Sequence, residues 1–165
     1  MPSILFVCTA NLFRSPLAAA CFTRKYQSLG WQSAWQISSA GTWTLPGRPA
    51  LPAAIQAAQR LGFSLASHRS RPLTAAMVSV QDLIVVMESG QKEALQAEFS
   101  IFERRVFLLS ELADGRIEDV PDPVANPDIP AFEIAAQIQE RLGRGFYRLC
   151  AQALKGSRAP ALSPR

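Results

Sequence analysis

The stretch ILFVCTANLFRSPLAAA, from Ile4 to Ala20, decides the fold of the chain. It opens with the apolar run Ile4–Val7, which is typical of a parallel strand buried on both faces. It closes with an alanine-rich pattern that predicts a helix, with Ser15 as the N-cap and Pro16 at the first helical position. Residues 8–14 are therefore predicted to form a tight loop between a strand and a helix.

This loop has the features of an anion site. Unpaired backbone N–H groups and the positive end of the helix dipole point into it. A thiol in such a setting loses its proton readily, and a guanidinium can bind two oxygens of a tetrahedral anion. Cys8 is thus a candidate nucleophile beneath a phosphate held by Arg14, with a phosphocysteine as the intermediate. Ser15 can donate to the sulfur, and Asn11 tolerates a left-handed backbone. The alternative is a structural cysteine in an ordinary turn.

Length and composition describe one globular domain. The chain has 165 residues, of which 48% are hydrophobic and 18% charged, enough for one core. We predict a single domain over residues 1–155 and a disordered tail over 156–165. The net charge of +4 fits an anionic substrate, but no basic run indicates nucleic acid. No apolar run has membrane-spanning length and no signal peptide is evident, so we expect no membrane partner and a cytoplasmic location.

The three cysteines form neither a disulfide framework nor a zinc site, because their number is odd and no Cys-x-x-Cys occurs. Cys21 and Cys150 lie in predicted helices, where a buried thiol behaves as a small hydrophobic group. Only Cys8 has a reactive setting.

Short apolar runs alternate with helical patterns along the rest of the chain. Further strands are predicted at Trp35–Ser38, Asp82–Met87 and Arg104–Leu109, and helices at 15–29, 52–61, 74–79, 89–99 and 131–153. This alternation predicts an α/β fold with a parallel sheet. Ligands bind beyond the carboxyl ends of such strands, where Cys8, Ser39, Glu88 and Ser110 fall.

A later loop supplies a candidate general acid. Asp122 stands between two prolines, which leave its carboxylate little freedom. Asp128 is a second candidate, and an ordinary acidic turn is the alternative for both. Trp43, in a loop rich in proline and glycine, either forms a binding rim or covers the edge of the core. His68, considered by itself, is a turn residue.

Five segments together resemble the low-molecular-weight protein tyrosine phosphatases: CTANLFRSP at 8–16, SAGT at 39–42, HRSR at 68–71, DLIVVME at 82–88 and VPDP at 120–123. The resemblance covers nearly the whole chain. It implies a four-stranded parallel sheet flanked by helices, with a phosphate-binding loop after the first strand. It also implies a two-step hydrolysis of phosphomonoesters that needs neither a metal nor another cofactor.

The resemblance also implies roles for individual residues. Cys8 would be the nucleophile, Arg14 the phosphate clamp, and Asp122 first the acid and then the base. The phosphate would be bound by the loop residues Thr9, Ala10, Asn11, Leu12, Phe13 and Arg14. Ser15 would assist the thiolate, and a hydrogen-bond network of Asn11, Ser39 and His68 would hold the shape of the loop. Glu88 would stand where the family usually has an aspartate and would brace Arg14.

The chain departs from the family pattern around the substrate. Phe13 replaces a second cysteine, so no disulfide can form within the loop to protect Cys8. Val124 and Ala125 stand where many members have tyrosines. Leu51 replaces a common aspartate, and Trp43 is displaced by about one position. We therefore expect the substrate rim to comprise Leu12, Trp43 and Val124.

The predicted function is a cysteine-dependent phosphatase for phosphotyrosine in proteins or another aryl phosphate, with phosphate or vanadate as ligands. A phosphoarginine phosphatase stays open, although Leu12 replaces the threonine of such relatives. An arsenate reductase would need further cysteines, and residues 82–100 contain none. A non-catalytic phosphoprotein-binding module would have no need of Cys8 and Asp122 together.

Overall fold

A computed structural model describes residues 1–31 and 34–157 of the chain. Four parallel strands form one sheet in the order β2-β1-β3-β4. The strands are β1 (Ser3–Cys8), β2 (Gln36–Gly41), β3 (Leu83–Val86) and β4 (Val106–Leu108). The predicted four-stranded parallel sheet is confirmed.

Helices cover both faces of this sheet. They are α1 (Arg14–Ser28), α2 (Pro52–Leu61), α3 (Ala75–Val80), α4 (Ser89–Glu98), α5 (Leu109–Asp114) and α6 (Ala131–Ser157). A 3-10 turn at Ser100–Arg105 precedes β4 and takes up the first two residues of the strand predicted there. None of the helices within the described ranges has both the length and the apolar composition needed to cross a membrane.

The central position of β1 explains its uninterrupted apolar run. All six of its residues are buried, and alternate side chains enter different cores. Ile4 and Phe6 belong to the core beneath α1 and α6, whereas Leu5 and Val7 belong to the core on the opposite face. A strand paired on both edges and covered on both faces has no position for a solvated side chain.

Helix α6 is longer than predicted and continues through two glycines. Its buried face includes Ile138, Leu142 and Phe146. A Cβ on Gly145 would lie 2.9 Å from the Cα of Ala113, so a glycine there permits close packing against α5. Residues 156 and 157 belong to this helix rather than to the predicted tail, and the prediction for 158–165 lies outside the described residues.

The carboxyl ends of β1 and β2 bring two segments together at one edge of the sheet. Cys8 pairs in register with Gly41, and the backbone N–H of Thr42 donates to the carbonyl of Cys8 at 2.9 Å. A Cβ on Gly41 would lie 2.6 Å from the carbonyl oxygen of Thr9. Glycine therefore allows β2 to pass directly beside the loop that follows β1.

Candidate active site

Cys8 and Ser15 meet at the junction of β1 and α1. Both are buried, and 3.0 Å separates the Cys8 sulfur from the Ser15 hydroxyl oxygen. The Asn11 amide donates to the same hydroxyl at 2.8 Å, so the hydrogen of Ser15 is left for the sulfur or for the Ala40 carbonyl oxygen, which is farther away at 3.4 Å. Ser15 is therefore placed to stabilise a thiolate.

The prediction that Ser15 is the N-cap is wrong. Helix α1 begins at Arg14, its N-cap position is Phe13, and no side chain caps it. The Ser15 hydroxyl is instead used by Cys8 and Asn11. The open amides at this helix start are the kind of group that binds an anion.

Asn11 holds the shape of the loop. Its φ is +57°, in the left-handed region, as the sequence predicted. Its side-chain amide also donates to Ser39 at 2.9 Å, and its side-chain oxygen accepts the backbone N–H of Arg71 at 2.9 Å. Asn11 therefore ties the loop to β2 and to the segment before α3.

His68 supports Asn11 from the same segment. Its Nε2 lies 2.7 Å from the Asn11 carbonyl oxygen, and since a carbonyl only accepts, Nε2 carries the hydrogen. Burial lowers the pKa of His68 from 6.5, and Arg69 and Arg71 lower it further, against the opposing effect of this hydrogen bond. His68 is therefore neutral at pH 7. The structure brings it together with Asn11 and Ser39, as the resemblance implied.

This lowered pKa predicts a pH dependence of stability. Because the unfolded chain binds the proton more readily, the stabilisation due to a neutral His68 is complete above pH 6.5 and is lost as the pH falls through the folded-state pKa. We expect the melting temperature of the wild type to fall more steeply below pH 6.5 than that of His68→Gln, which cannot titrate. Thermal unfolding followed by circular dichroism measures both, and parallel profiles would contradict the prediction.

Arg14 joins three parts of the fold. Its buried guanidinium forms an ion pair with Glu88 and donates to the Val120 carbonyl at 2.9 Å. The other terminal nitrogen lies 3.4 Å from Asp122. Glu88 and Asp122, the candidate acid, are therefore both neighbours of Arg14, although more than 70 residues separate Arg14 from Glu88 along the chain.

Asp122 lies on the rim of a cleft of about 450 Å³. Its side chain is 33% exposed and accepts the backbone N–H of Val124 at 3.0 Å. The cleft is lined by Thr9, Glu88, Asp119, Val120, Pro121, Asp122, Ala125 and Asn126. Asp128 is exposed and does not line this cleft, so the geometry favours Asp122 as the acid.

The predicted rim residues differ in exposure. Trp43 is 85% exposed and Val124 is 73% exposed, whereas Leu12 is only 6% exposed. Trp43 therefore does not cover the edge of the core, which removes the second of its two interpretations. Phe13 is buried in the core beneath α1. None of the three rim residues lines the cleft, so the rim stays a prediction.

Sequence reasoning missed two residues that support the loop. Gln91 donates to the Thr9 hydroxyl at 3.0 Å and accepts from two backbone N–H groups at the end of β3. The guanidinium of Arg71 donates to the Ser39 carbonyl at 3.1 and 3.3 Å. A glutamine at the third position of a predicted helix can accept the backbone N–H of the residue that precedes the helix, and this half of the capping-box pattern could have identified Gln91.

The remaining cysteines lie in the core, as expected. Burial raises the pKa of Cys21 to about 12 and that of Cys150 to about 11, so both stay protonated. Within residues 1–31 and 34–157, no three His, Cys, Asp or Glu side chains are grouped to hold a metal ion.

Comparisons with known proteins agree with this geometry. The family model described as low molecular weight phosphotyrosine protein phosphatase matches residues 3–157. The probable low molecular weight protein-tyrosine-phosphatase EpsP of Ralstonia nicotianae is 36% identical over 139 residues, covering 84% of this chain and 89% of that protein. A protein-arginine-phosphatase of Bacillus subtilis is 31% identical over 155 residues, covering 94% and 99%.

A solved structure supports the same relationship. The low molecular weight protein tyrosine phosphatase from T. tengcongensis superposes with a TM-score of 0.82 at 27% identity, covering 90% of this chain and 100% of that one. The chain therefore belongs to the low-molecular-weight phosphotyrosine protein phosphatase family and is a cysteine-dependent phosphatase.

Proposed function

We propose that the protein dephosphorylates phosphotyrosine in proteins, or another aryl phosphate, with Cys8 as the nucleophile. The observation that carries this proposal is the environment of Arg14. Its buried guanidinium contacts Glu88 and Asp122 at the end of the loop that begins at Cys8. The proximity of Arg14 and Asp122 to the loop that begins at Cys8 supports their roles as anion clamp and acid beside the thiol.

In the first step the Cys8 thiolate attacks phosphorus and the bond to the ester oxygen breaks. Asp122 donates its proton to that oxygen, and the phenol leaves. The Arg14 guanidinium and the backbone N–H groups of residues 9–14 bind the other phosphate oxygens, where charge accumulates in the transition state. The product of this step is a phosphocysteine.

In the second step water attacks the phosphocysteine. Asp122, now a carboxylate, accepts a proton from that water, and the bond between sulfur and phosphorus breaks to release inorganic phosphate. The Ser15 hydroxyl, 3.0 Å from the sulfur, stabilises the departing thiolate. Asn11, Ser39 and His68 keep the loop curled through both steps. Asp122 therefore transfers the proton in both steps, to the ester oxygen in the first and from water in the second.

Apolar side chains near the loop support the preference for an aryl group. Trp43 and Leu45 are exposed in the segment that follows β2, and the backbone N–H of Trp43 donates to the Thr9 carbonyl at 3.0 Å. Val124 is exposed two residues after Asp122. Together they offer an apolar surface beside the cleft for a phenyl ring.

A phosphoarginine substrate is the second candidate. It is supported by the similarity to a protein-arginine-phosphatase along almost the full length of both chains. The aliphatic Leu12 argues against it, because the family resemblance associates a smaller, polar threonine at this position with action on phosphoarginine. An arsenate reductase is less well supported, since Cys21 and Cys150 are buried in the core and cannot resolve an adduct on Cys8.

The substrate preference can be measured on one peptide sequence carrying phosphotyrosine, phosphoserine or phosphoarginine. We expect the highest kcat/KM with phosphotyrosine, because only its ring fills the apolar rim. Leu12→Thr should shift the ratio toward phosphoarginine, with Leu154→Thr, an exposed leucine on α6, as the control. A wild type that prefers phosphoarginine would reverse this assignment.

A cytoplasmic location also forms part of the proposal. All three cysteines are unpaired, and a thiolate nucleophile stays reduced in the cytosol more readily than in an oxidising compartment. The expected partner is a phosphorylated protein rather than a nucleic acid or a membrane.

A further inference from the structure

We propose that Gln91 is a positioning residue for the phosphate: it orients the Thr9 hydroxyl and the Glu88 carboxylate at the mouth of the cleft. This inference rests on the proposed function, because it assumes that phosphate binds at the loop after β1. Gln91 itself lies in the first turn of α4 and is only 7% exposed. It therefore acts through its neighbours.

The hydrogen bonds of Gln91 determine the orientation of its amide. The side-chain oxygen accepts the backbone N–H groups of Met87 at 3.1 Å and Glu88 at 3.0 Å. Since those two groups only donate, the oxygen must face them. The amide nitrogen then faces Thr9, whose hydroxyl oxygen lies 3.0 Å away. A buried glutamine with both ends of its amide in use is held in one conformation.

This orientation has a consequence for Thr9. Because Gln91 donates to it, the Thr9 hydroxyl accepts that hydrogen bond and keeps its own hydrogen for another acceptor. Thr9 directly follows Cys8 and lines the cleft together with Glu88 and Asp122. Its backbone is held as well, since its carbonyl accepts the N–H of Trp43. An oxygen of a bound phosphate is the acceptor that this cleft would supply.

Gln91 also holds the main chain of Glu88. The backbone N–H of Glu88 donates to the Gln91 side-chain oxygen at 3.0 Å, which fixes the point from which the Glu88 carboxylate projects. The same carboxylate forms the ion pair with Arg14. A displaced Glu88 would leave that nitrogen of the buried guanidinium with the Val120 carbonyl as its remaining partner, so the orientation of Arg14 toward phosphate depends in part on Gln91.

The test uses a substitution that keeps the shape of Gln91 and removes its donor. In Gln91→Glu the carboxylate can still accept from Met87 and Glu88, but the Thr9 hydroxyl must now donate to it and is withdrawn from phosphate. We expect kcat/KM for p-nitrophenyl phosphate to fall about 10- to 100-fold, the loss that corresponds to one hydrogen bond to a charged group. The affinity for orthovanadate should fall in parallel, because vanadate presents the same oxygens.

Two further variants separate charge and stability from orientation. Gln96→Glu adds the same charge to the same helix, but Gln96 donates to the Glu103 carbonyl in the 3-10 turn, so kcat/KM should stay within about twofold of wild type. Gln91→Met removes the polar contacts without adding charge and should also lower vanadate affinity. Melting temperatures of all variants show whether the protein measured is folded.

A double-mutant cycle gives the decisive readout. If Gln91 acts through the Thr9 hydroxyl, Gln91→Glu should cost much less activity in a Thr9→Val background than in the wild type. Additive losses, or wild-type kcat/KM and vanadate affinity in Gln91→Glu, would overturn the inference. Neither result would contradict the proposed function. The proposed function would be contradicted if Cys8→Ser, with no other change, still hydrolysed p-nitrophenyl phosphate.

Discussion

Cys8→Ser is expected to abolish turnover of p-nitrophenyl phosphate while inorganic phosphate still binds. The alcohol of serine is a far weaker nucleophile than a thiolate. If serine did become phosphorylated, its O–P ester would also be hydrolysed much more slowly than the S–P bond of phosphocysteine, because an alkoxide is a poorer leaving group than a thiolate. The groups that bind the anion remain, because Arg14 stays paired with Glu88 and the loop stays fastened through Asn11. Release of p-nitrophenol and calorimetric titration with phosphate measure the two properties separately.

A matched control uses a second cysteine of the chain. Cys21 is buried in α1, and burial raises its pKa to about 12, so it does not supply a thiolate. Cys21→Ala should therefore keep the wild-type activity, although its free energy of unfolding should fall modestly. Hydrolysis at the wild-type rate by Cys8→Ser would refute the covalent mechanism. Loss of phosphate binding together with turnover would mean that the sulfur, rather than the amides and Arg14, holds the anion.

Asp122→Ala is expected to lower kcat by about 10²–10⁴ for a substrate with a poor leaving group, the usual contribution of a positioned general acid. The reason is that the phenolate must then leave without a proton. The loss should be smaller for p-nitrophenyl phosphate, because p-nitrophenolate is a stable anion. Steady-state rates with phenyl phosphate and p-nitrophenyl phosphate, measured side by side, give this dependence on the leaving group.

Asp128→Ala supplies the control for this experiment. Asp128 belongs to the same loop but is exposed and does not line the cleft, so the rate should stay near that of the wild type. A larger loss in Asp128→Ala than in Asp122→Ala would mean that the acid has been assigned to the wrong carboxylate. An equal loss with both leaving groups in Asp122→Ala would indicate that Asp122 does not act as the acid of the first step and contributes through substrate binding or through the second step, which is common to both substrates.

Local pattern predicted much of the fold. The apolar run of β1, the bounds of α2 and the glycine after it follow from periodicity and end signals, and the structure confirms them. One local prediction failed: Ser15 does not cap α1, because its hydroxyl bonds to Cys8 and Asn11 within the loop. Helix α6 passes through its two glycines, as predicted, because the penalty of about 1 kcal/mol for each glycine is smaller than the gain from burying its apolar face.

The sequence by itself determined the elements of the site nearest to Cys8: a thiol, a ring of amides, an arginine and a left-handed asparagine within seven residues. These are consequences of local geometry, which short-range pattern encodes. Only the tertiary structure decided which distant groups join them. It placed β1 between β2 and β3 and brought Ser39, His68, Glu88 and Asp122 to one edge. It also placed Gln91 against Thr9, 82 residues away. Such long-range contacts depend on how the elements pack across the whole core, so they cannot be predicted from the hydrophobic periodicity of the sequence.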